Sequence, residues 1–379
     1  MNLTKSHRSG RSTLTIVLKS LLIIATIVPL TLVFITIGAA GIVPARYLIA
    51  AIFIVVVLVG LIGFLLFKRF RRFNPFAKTV AVILSVIIIA ASVFGYNVLS
   101  RSLSILDRFA GAENSVAIET KQPFNVYISG IDTYGDLTAV SRSDVNIVAT
   151  VNPNTNKILL TTIPRDSYVP IALGGNDQMD KLTHAGNYGV ESSMTTVANL
   201  LDTKIDTYVR VNFTSFVDVI DKLGGVTIDN PVAFESYGEY FEKGTITLDG
   251  KRALVYSRER KGLEGGDNDR GKNQQRVIQG VVDGISQVRS LTQLESLLIL
   301  VSDSVDTNVA GGSVRELLNE QISSGKSWTT ESIAISGKGQ TGGLPSYAMP
   351  SSSLYMFVLD EASLESVKSR VNQALAPKE

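Results

Sequence analysis

The stretch Pro123–Tyr168, PFNVYISGIDTYGDLTAVSRSDVNIVATVNPNTNKILLTTIPRDSY, reads as three strands. Phe124–Ile131 alternates apolar and polar residues and closes on Gly130-Ile131-Asp132. A loop with Tyr134, Gly135 and Asp136 leads to a second strand, Asp144–Val151. The turn Asn152-Pro153-Asn154-Thr155-Asn156 then returns the chain into a third, Lys157–Ile163. A hairpin centred between Asn154 and Thr155 sets Arg165 opposite Asp144, and directly opposed residues of an antiparallel pair sit roughly 5 Å apart. If the first two strands are also neighbours, Asp132, Arg142, Asp144 and Arg165 crowd one rim of a sheet. Two carboxylates supply oxygens for a hard cation, and two planar guanidinium forks suit phosphate. A surface ion pair between Asp144 and Arg165, with Asp132 capping a turn, accounts for the same residues. The rest of the chain has to decide between the two.

Residues 1–99 form a different kind of polymer. The first hundred residues hold ten of the 36 Lys and Arg and no Asp or Glu, which leaves 26 bases against all 34 acids, about −8, in the remainder. The overall charge of +2 therefore hides two unlike halves and gives no argument for nucleic acid. Three apolar runs, about 20–43, 47–67 and 79–99, each have the length of a helix that crosses a hydrocarbon core of about 30 Å. A cleavable signal peptide would explain one such run, not three. Lys5, Arg8, Arg11 and Lys19 in the tail, and Lys68, Arg69, Arg71, Arg72 and Lys78 in the second connection, outweigh the lone Arg46 of the first connection. Cations concentrate on the cytoplasmic side. The expectation is a multi-pass cell-membrane protein with a cytoplasmic N-terminus and everything after Leu99 outside. The basic, Phe-rich second connection is expected to rest on anionic headgroups.

Residues 100–122 are expected to form a stalk and 123–379 one external α/β domain, its roughly 255 residues being enough for a sizeable core. Cysteine is absent, which suits a surface where disulfides are not relied upon, such as that of many Gram-positive cells. Ser192–Leu201 and Phe213–Leu223 have helical spacing, the latter ending at Gly224-Gly225. Ile205–Phe213, Val226–Ile228 and Thr245–Leu248 read as strands. Further on, helices are expected at Leu294–Ser304, Ser313–Ser323 and Ala362–Leu375, and a strand at Ser332–Ile335. Intermingled strands and helices predict a layered α/β sandwich.

A second cationic cluster lies in ALVYSRERKGLEGGDNDRGKNQQRVIQGVVDGI. A helix is expected from Asp269, capped by Asp267, Asn268 or Asp269 itself. Arg270 and Gln274 share one face, which continues as Val277, Val281, Ile285 and Val288. A first turn showing Arg and amide, followed by aliphatic turns, suits an amphiphile whose anion sits at the helix N-terminus. An ordinary core helix with a solvated first turn gives the same stripe. Arg258 and Arg260 share a face on a strand but lie roughly 200° apart on a helix. If ALVYS is helical, Arg260 must fall in the following loop for the two to converge, and Gly262–Gly266 permits one.

Other chemistries find little support. His7 and His184 are the only histidines, and without Cys a zinc site or a thiol nucleophile is unsupported. His184, beside Thr183, is expected to be a hydrogen-bonded structural residue. DNDRGKN brushes against a calcium loop but lacks its third acidic position and its Glu at the twelfth.

Taken together, GIDT (130–133), SRSDV (141–145), IPRDSYV (163–169), KLTHA (181–185), VRVNF (209–213), GGV (224–226), LDGKRALVYSRER (248–260) and DNDRGKNQQ (267–275) resemble the LytR–CpsA–Psr family of cell-wall phosphotransferases. The resemblance covers 123 to about 290 best, and three leading spans resemble its capsule-associated branch. It implies an α/β sandwich that binds a polyprenyl-pyrophosphate-linked glycopolymer, such as capsular polysaccharide, and moves it to a peptidoglycan sugar hydroxyl. Arg142, Arg165, Arg258, Arg260, Arg270 and Gln274 would grip the pyrophosphate. Asp132 and Asp144 would hold Mg²⁺, or Mn²⁺ in its place. Asp132, Asp144, Arg142 and Arg165 would form the catalytic set, and the isoprenoid would lie in an apolar channel. Other capsule-assembly membrane proteins are possible partners, and nucleic acid is not one. The same constellation would serve a lipid pyrophosphatase with water as acceptor, and a non-catalytic membrane regulator is the third reading. Where many relatives carry Arg before the Gln-Gln pair, this chain has Asn273, so one phosphate ligand is either missing or supplied by Lys272. A stalk stands where three-span relatives often carry an accessory domain.

Overall fold

The structure, a computed structural model, describes residues 4–40, 45–67, 75–110, 115–134, 136–137, 140–260, 262–263, 267–286, 304–324 and 327–377. The expected basic connection (68–74), most of the helix at 294–304, and Val288 lie outside them. The chain divides into two compact units. One comprises Met1–Ser104 with Arg315–Ser324, the other Ile105–Val314 with Gly325–Glu379.

The N-terminal unit is built on three helices, α1 (Thr4–Ala40), α2 (Ala45–Phe67) and α3 (Pro75–Ala110). Among the described residues, Ile16–Gly38 of α1 and Lys78–Val98 of α3 are long and apolar enough to cross a membrane; α2 offers a shorter apolar stretch, Leu48–Phe64. Two of the three expected spans therefore meet the criterion of length. Ile35, Phe53 and Phe94 are each more than half exposed, which water would penalise and lipid would not. Helix α1 begins well before Ser20: Lys5, Arg8, Arg11, Leu14, Leu18 and Lys19 favour helix, and no proline interrupts the tail.

The other unit is mixed α/β. Strands β1 (Phe124–Ile131), β2 (Ser143–Asn152) and β3 (Lys157–Thr162) form the expected meander. Asn152 pairs with Lys157 and Ile147 with Thr162, the register of a hairpin centred between Asn154 and Thr155. Asn152 fixes that turn, its side-chain oxygen accepting the N–H groups of Asn154 (3.0 Å) and Thr155 (3.3 Å). The sheet is completed by β6 (Thr207–Val211), parallel to β1, and β12 (Thr329–Ala334), parallel to β3, with the two-residue β11 (Asp306–Thr307) at the far edge.

Pleat alternation divides the sheet's side chains between two faces. Tyr127 and Val148, opposed in register, point into a core shared with α5 (Val190–Leu201) and the C-terminal helix α10 (Glu361–Leu375). Ile128 and Ile147, also opposed, point the other way, where Ile147 and Leu160 pack with Ile278 of α8 (Asp267–Ser286). A second cluster joins α6 (Phe213–Lys222), β7 (Val226–Asn230), the hairpin β8 (Phe234–Ser236) and β9 (Glu239–Phe241), β10 (Gly244–Leu248) and α7 (Gly250–Arg258) to Val277 of α8.

Three expectations are corrected. The strand expected over Ile205–Phe213 is shorter, because Asn212 caps α6: its side chain accepts Ser215 N–H at 2.9 Å, and a residue spent on a cap cannot extend a ladder. Helix α8 starts at Asp267 rather than Asp269, so Arg270 closes its first turn instead of opening it. The stripe of Val277 and Val281 packs into the second cluster as an ordinary core face and does not continue the Arg270–Gln274 face. At 3.6 residues per turn, Gln274 is followed on its own face by Ile278, while Val277 lies about 60° to one side.

Candidate active site

A cavity of about 560 Å³ opens where the C-terminal end of β1, the start of β2 and the N-terminal end of α8 meet α6 and α7. Its wall carries Asp132, Asp144, Arg165, Arg258, Arg260, Arg270 and Gln274. Seven of the eight residues singled out from sequence thus share one wall. The eighth, Arg142, is exposed and is not among the lining residues. It stands one residue before β2 begins, outside the ladder, so the pairing that places Asp144 does not hold it.

Each polar residue is held by an identifiable local cause. Gly130 lets β1 approach β2 closely, since a Cβ there would sit 2.8 Å from the Val145 side chain; a bulge follows between Gly130 and Ile131 and frees Asp132 from the ladder. Asp144 accepts from Arg165 Nη1 at 2.7 Å on Oδ2 and from Thr183 Oγ1 at 3.3 Å on Oδ1. Both side chains are about one-quarter exposed, so the pair is partly desolvated and loss of either partner leaves a partly buried charge uncompensated. Thr183 N–H also donates to the carbonyl of Arg165 at 2.8 Å, so one residue of α4 (Leu182–Ala185) holds both members of the pair. Behind it, Lys181 bonds Asp166 at 2.9 Å.

Helix α7 ends at Arg258 and leaves Arg260 in the following loop, the one arrangement in which helical ALVYS lets both reach the same space. The Arg258 guanidinium stacks over the Phe213 ring, 4.4 Å from its centroid, and Tyr134 meets the same ring edge-on at 5.2 Å. Glu259, buried between the two arginines, turns inward to accept Ser236 Oγ together with the N–H groups of Arg260 (2.8 Å) and Gly262 (2.6 Å). On α8, Gln275 anchors the helix to the sheet through Thr162 Oγ1 (2.8 Å) and the Ile333 carbonyl (2.9 Å), and so orients Arg270 and Gln274. Ile128, Ile131, Val145, Val211, Phe213, Phe216, Leu254 and Ile278 make the remainder of the wall apolar.

Asn273 and Lys272 are not phosphate ligands here. Asn273 is 2 % exposed, donates to the Tyr256 carbonyl (3.1 Å) and accepts from Arg276 (2.8 Å), while Lys272 is exposed and paired with Asp269 at 2.9 Å. His184 is structural, as expected: it is buried, with Nδ1 2.8 Å from Asp180 Oδ1. Burial would raise the Asp180 carboxyl, but hydrogen bonds from His184, Ala348 N–H, Ser346 and Lys181 N–H outweigh it and hold the group down at about 2.

No group of three or more Asp, Glu, His or Cys stands close enough to hold a metal by itself among the described residues. Two carboxylates on one wall fit Mg²⁺ in its usual enzymatic mode, in which substrate phosphate oxygens and waters complete the octahedron. Sequence reasoning missed Glu235, Ser236 and Tyr237 as wall residues and Thr183 as the holder of Asp144. For the first three the available signal was the Tyr237-Gly238 turn dipeptide; for Thr183 it was its place in KLTHA, which does not name its partner.

The LytR_cpsA_psr family model matches residues 92–373. A Bacillus subtilis (strain 168) protein, polyisoprenyl-teichoic acid–peptidoglycan teichoic acid transferase TagU, is 31% identical over 306 residues, 78% of this chain and 95% of the relative. The crystal structure of B. subtilis TagU superposes with a TM-score of 0.53 at 33% identity, covering 68% of this chain and 99% of that one. A structure of TagT bound to LIIa-WTA gives 0.53 at 30% identity over 68% and 92%.

Proposed function

The chain belongs to the LytR_cpsA_psr family, is an enzyme of the phosphotransferase type, and from that premise we propose that it moves a glycopolymer from a polyprenyl-diphosphate carrier to a sugar hydroxyl of peptidoglycan. The observation that carries the proposal is the single cavity in which Asp132, Asp144, Arg165, Arg258, Arg260, Arg270 and Gln274 share a wall with a run of aliphatic and aromatic side chains. A polyprenyl diphosphate has the same two-part chemistry.

In the proposed reaction the acceptor oxygen attacks the phosphorus that bears the glycan. The bond from that phosphorus to the bridging oxygen breaks, and polyprenyl phosphate leaves with the electron pair. Arg165, Arg258, Arg260 and Arg270 hold the non-bridging oxygens, and the Gln274 amide supplies a further donor. Charge developing on the leaving phosphate meets donors already in position, which is where most of the rate enhancement of such a site arises. Asp132 or Asp144 takes the proton of the acceptor hydroxyl. The same two carboxylates would hold Mg²⁺, which supplies charge neutralisation at the diphosphate when bound. Phe213, Phe216, Leu254 and Ile278 offer the isoprenoid an apolar wall. Arg142, exposed and not among the lining residues, is left a role in first capture of the polyanion.

Domain limits of 1–99, 100–122 and 123–379, three spans, a cytoplasmic N-terminus and an external catalytic domain complete the proposal. Capsular polysaccharide is the proposed polymer. The relative named above acts, by its name, on teichoic acid, so the two lipid-linked polymers are to be compared as donors. The test uses the full chain in nanodiscs with lipid-linked polymer, peptidoglycan and Mg²⁺, and measures polymer attached and polyprenyl phosphate released. Equal release with and without peptidoglycan would mean that water is the acceptor and would overturn the transferase reading.

A further inference from the structure

The hairpin of β8 and β9 pairs Phe234 with Phe241, Glu235 with Tyr240 and Ser236 with Glu239, which leaves Tyr237 and Gly238 as a two-residue loop. Their φ angles are 49° and 79°. Positive φ at both central positions defines the type I′ turn, whose first position favours Asn, Asp or Gly. A tyrosine there is a backbone outlier, because its Cβ crowds the carbonyl. The fold gives no reason for it: Tyr237 is 80% exposed, and the hairpin is secured by other residues. Phe234 and Phe241 pack in the core with ring centroids 4.9 Å apart, and Ser236 is clamped by Glu259.

That clamp gives the outlier a direction. Glu259 lies between Arg258 and Arg260, and it ties the hairpin tip to the segment carrying both. Glu235, Ser236 and Tyr237 in consequence all line the cavity that holds the arginines. The isoprenoid already has a wall of Phe213, Phe216, Leu254 and Ile278, and a ring left four-fifths in water is poorly suited to hydrocarbon. It suits a ligand with one apolar face and hydroxyls around its edge. Glu235, exposed on the same wall, is a carboxylate able to accept from those hydroxyls.

We propose that Tyr237, with Glu235, forms a sugar-binding lip on this cavity, the tyrosine ring stacking on the pyranose that adjoins the diphosphate. The inference rests on the transferase reading and adds a residue that tells glycosylated carrier from bare carrier. The same ring could meet the acceptor sugar instead, and the assay separates the two.

Tyr237→Asn removes the ring while installing the residue the turn prefers, so thermal stability should be unchanged or higher, and Tyr237→Phe keeps the ring. Affinities of the full-length protein in nanodiscs are measured for polyprenyl diphosphate and for the same lipid bearing one N-acetylglucosamine. The expected result is about a tenfold loss for the glycosylated lipid in Tyr237→Asn, equivalent to about 1.4 kcal/mol of stacking, with bare lipid unaffected and Tyr237→Phe as wild type. A loss confined to the KM for a peptidoglycan fragment places the ring on the acceptor sugar and supports the lip in that form. Equal weakening of both lipids, or wild-type values throughout for Tyr237→Asn, overturns it. Wild-type protein that binds neither lipid overturns the transferase reading and the lip with it.

Discussion

Replacing Asp180 by Asn should destabilise the external domain in a way that depends on pH. Asp180 is 1 % exposed and accepts from Ser346 Oγ (2.8 Å), Ala348 N–H (2.7 Å) and Lys181 N–H (2.7 Å), with His184 Nδ1 at 2.8 Å. These bonds outweigh burial and bring the carboxyl from 3.8 to about 2. A carboxyl lowered on folding stabilises the native state above its unfolded value and loses that contribution as pH falls through its folded value. The lowering is worth about 2 kcal/mol at pH 7, and about 1 kcal/mol of it is gone by pH 3. The Asn side chain also turns an NH₂ toward groups that need an acceptor, which adds about 1–3 kcal/mol. Urea unfolding of full-length wild type and Asp180→Asn, followed through the single Trp328, should show a stability gap at pH 7 that narrows by about 1 kcal/mol at pH 3. A gap of equal size at both pH values would refute the argument. Because Thr183 lies between Asp180 and His184 in sequence and holds Asp144, the variant should also transfer more slowly at pH 7.

Arg165→Ala removes the partner of a partly buried carboxylate and should lower transfer by at least about a hundredfold, with Arg165→Lys recovering little because an ammonium lacks the planar fork. Gly186→Ala would set a Cβ 2.3 Å from the Ser141 carbonyl and 2.9 Å from Ser143 N. Backbone on both sides leaves little room to yield, and urea unfolding should register a loss of about 1–3 kcal/mol. Gln275→Ala frees α8 from Thr162 and Ile333; a cost of about 1–3 kcal/mol should accompany a higher KM for the lipid donor, since Arg270 and Gln274 ride on that helix.

The parts legible in the sequence were those governed by local chemistry. Alternation in Phe124–Ile131 and the Asn-rich turn after Asn152 determine both strand identity and register, and from the register follows the meeting of Asp144 with Arg165. Arg258 and Arg260 were ambiguous, since their convergence depended on where α7 ends. What stayed hidden depends on contacts distant in sequence. Thr183 reaches Asp144 across 39 positions, and Ser236 reaches Glu259 across 23; no periodicity marks either. The stripe of Val277 and Val281 was misleading because a helix with two apolar neighbours shows one broad face, and only tertiary packing divides it between cavity and core. Arg142 illustrates the converse: two positions from Asp144 it would share its side on a continuous strand, but β2 begins only at Ser143 and Arg142 is left exposed.

Charge balance in the cavity supplies the reason for proposing a divalent metal, and a way to test it. Four carboxylates, Asp132, Asp144, Glu235 and Glu259, share the wall with four guanidiniums, Arg165, Arg258, Arg260 and Arg270. The wall is therefore close to neutral before the substrate arrives, and a diphosphate diester brings two more negative charges. Two like charges 4 Å apart repel by about 4 kcal/mol at an effective dielectric constant of 20, so Asp132 and Asp144 would oppose the ligand that the arginines attract. Two positive charges placed among the carboxylates and phosphates reverse that sign. The consequence is a crossed pattern. With EDTA present, Asp132→Asn should bind polyprenyl diphosphate more tightly than wild type, because a repelling charge is gone. With millimolar Mg²⁺ the order should invert, and transfer should be abolished in the variant. If Asp132→Asn weakens the lipid equally with and without Mg²⁺, the carboxylate is a structural support for the arginines, and the metal has no place in this cavity.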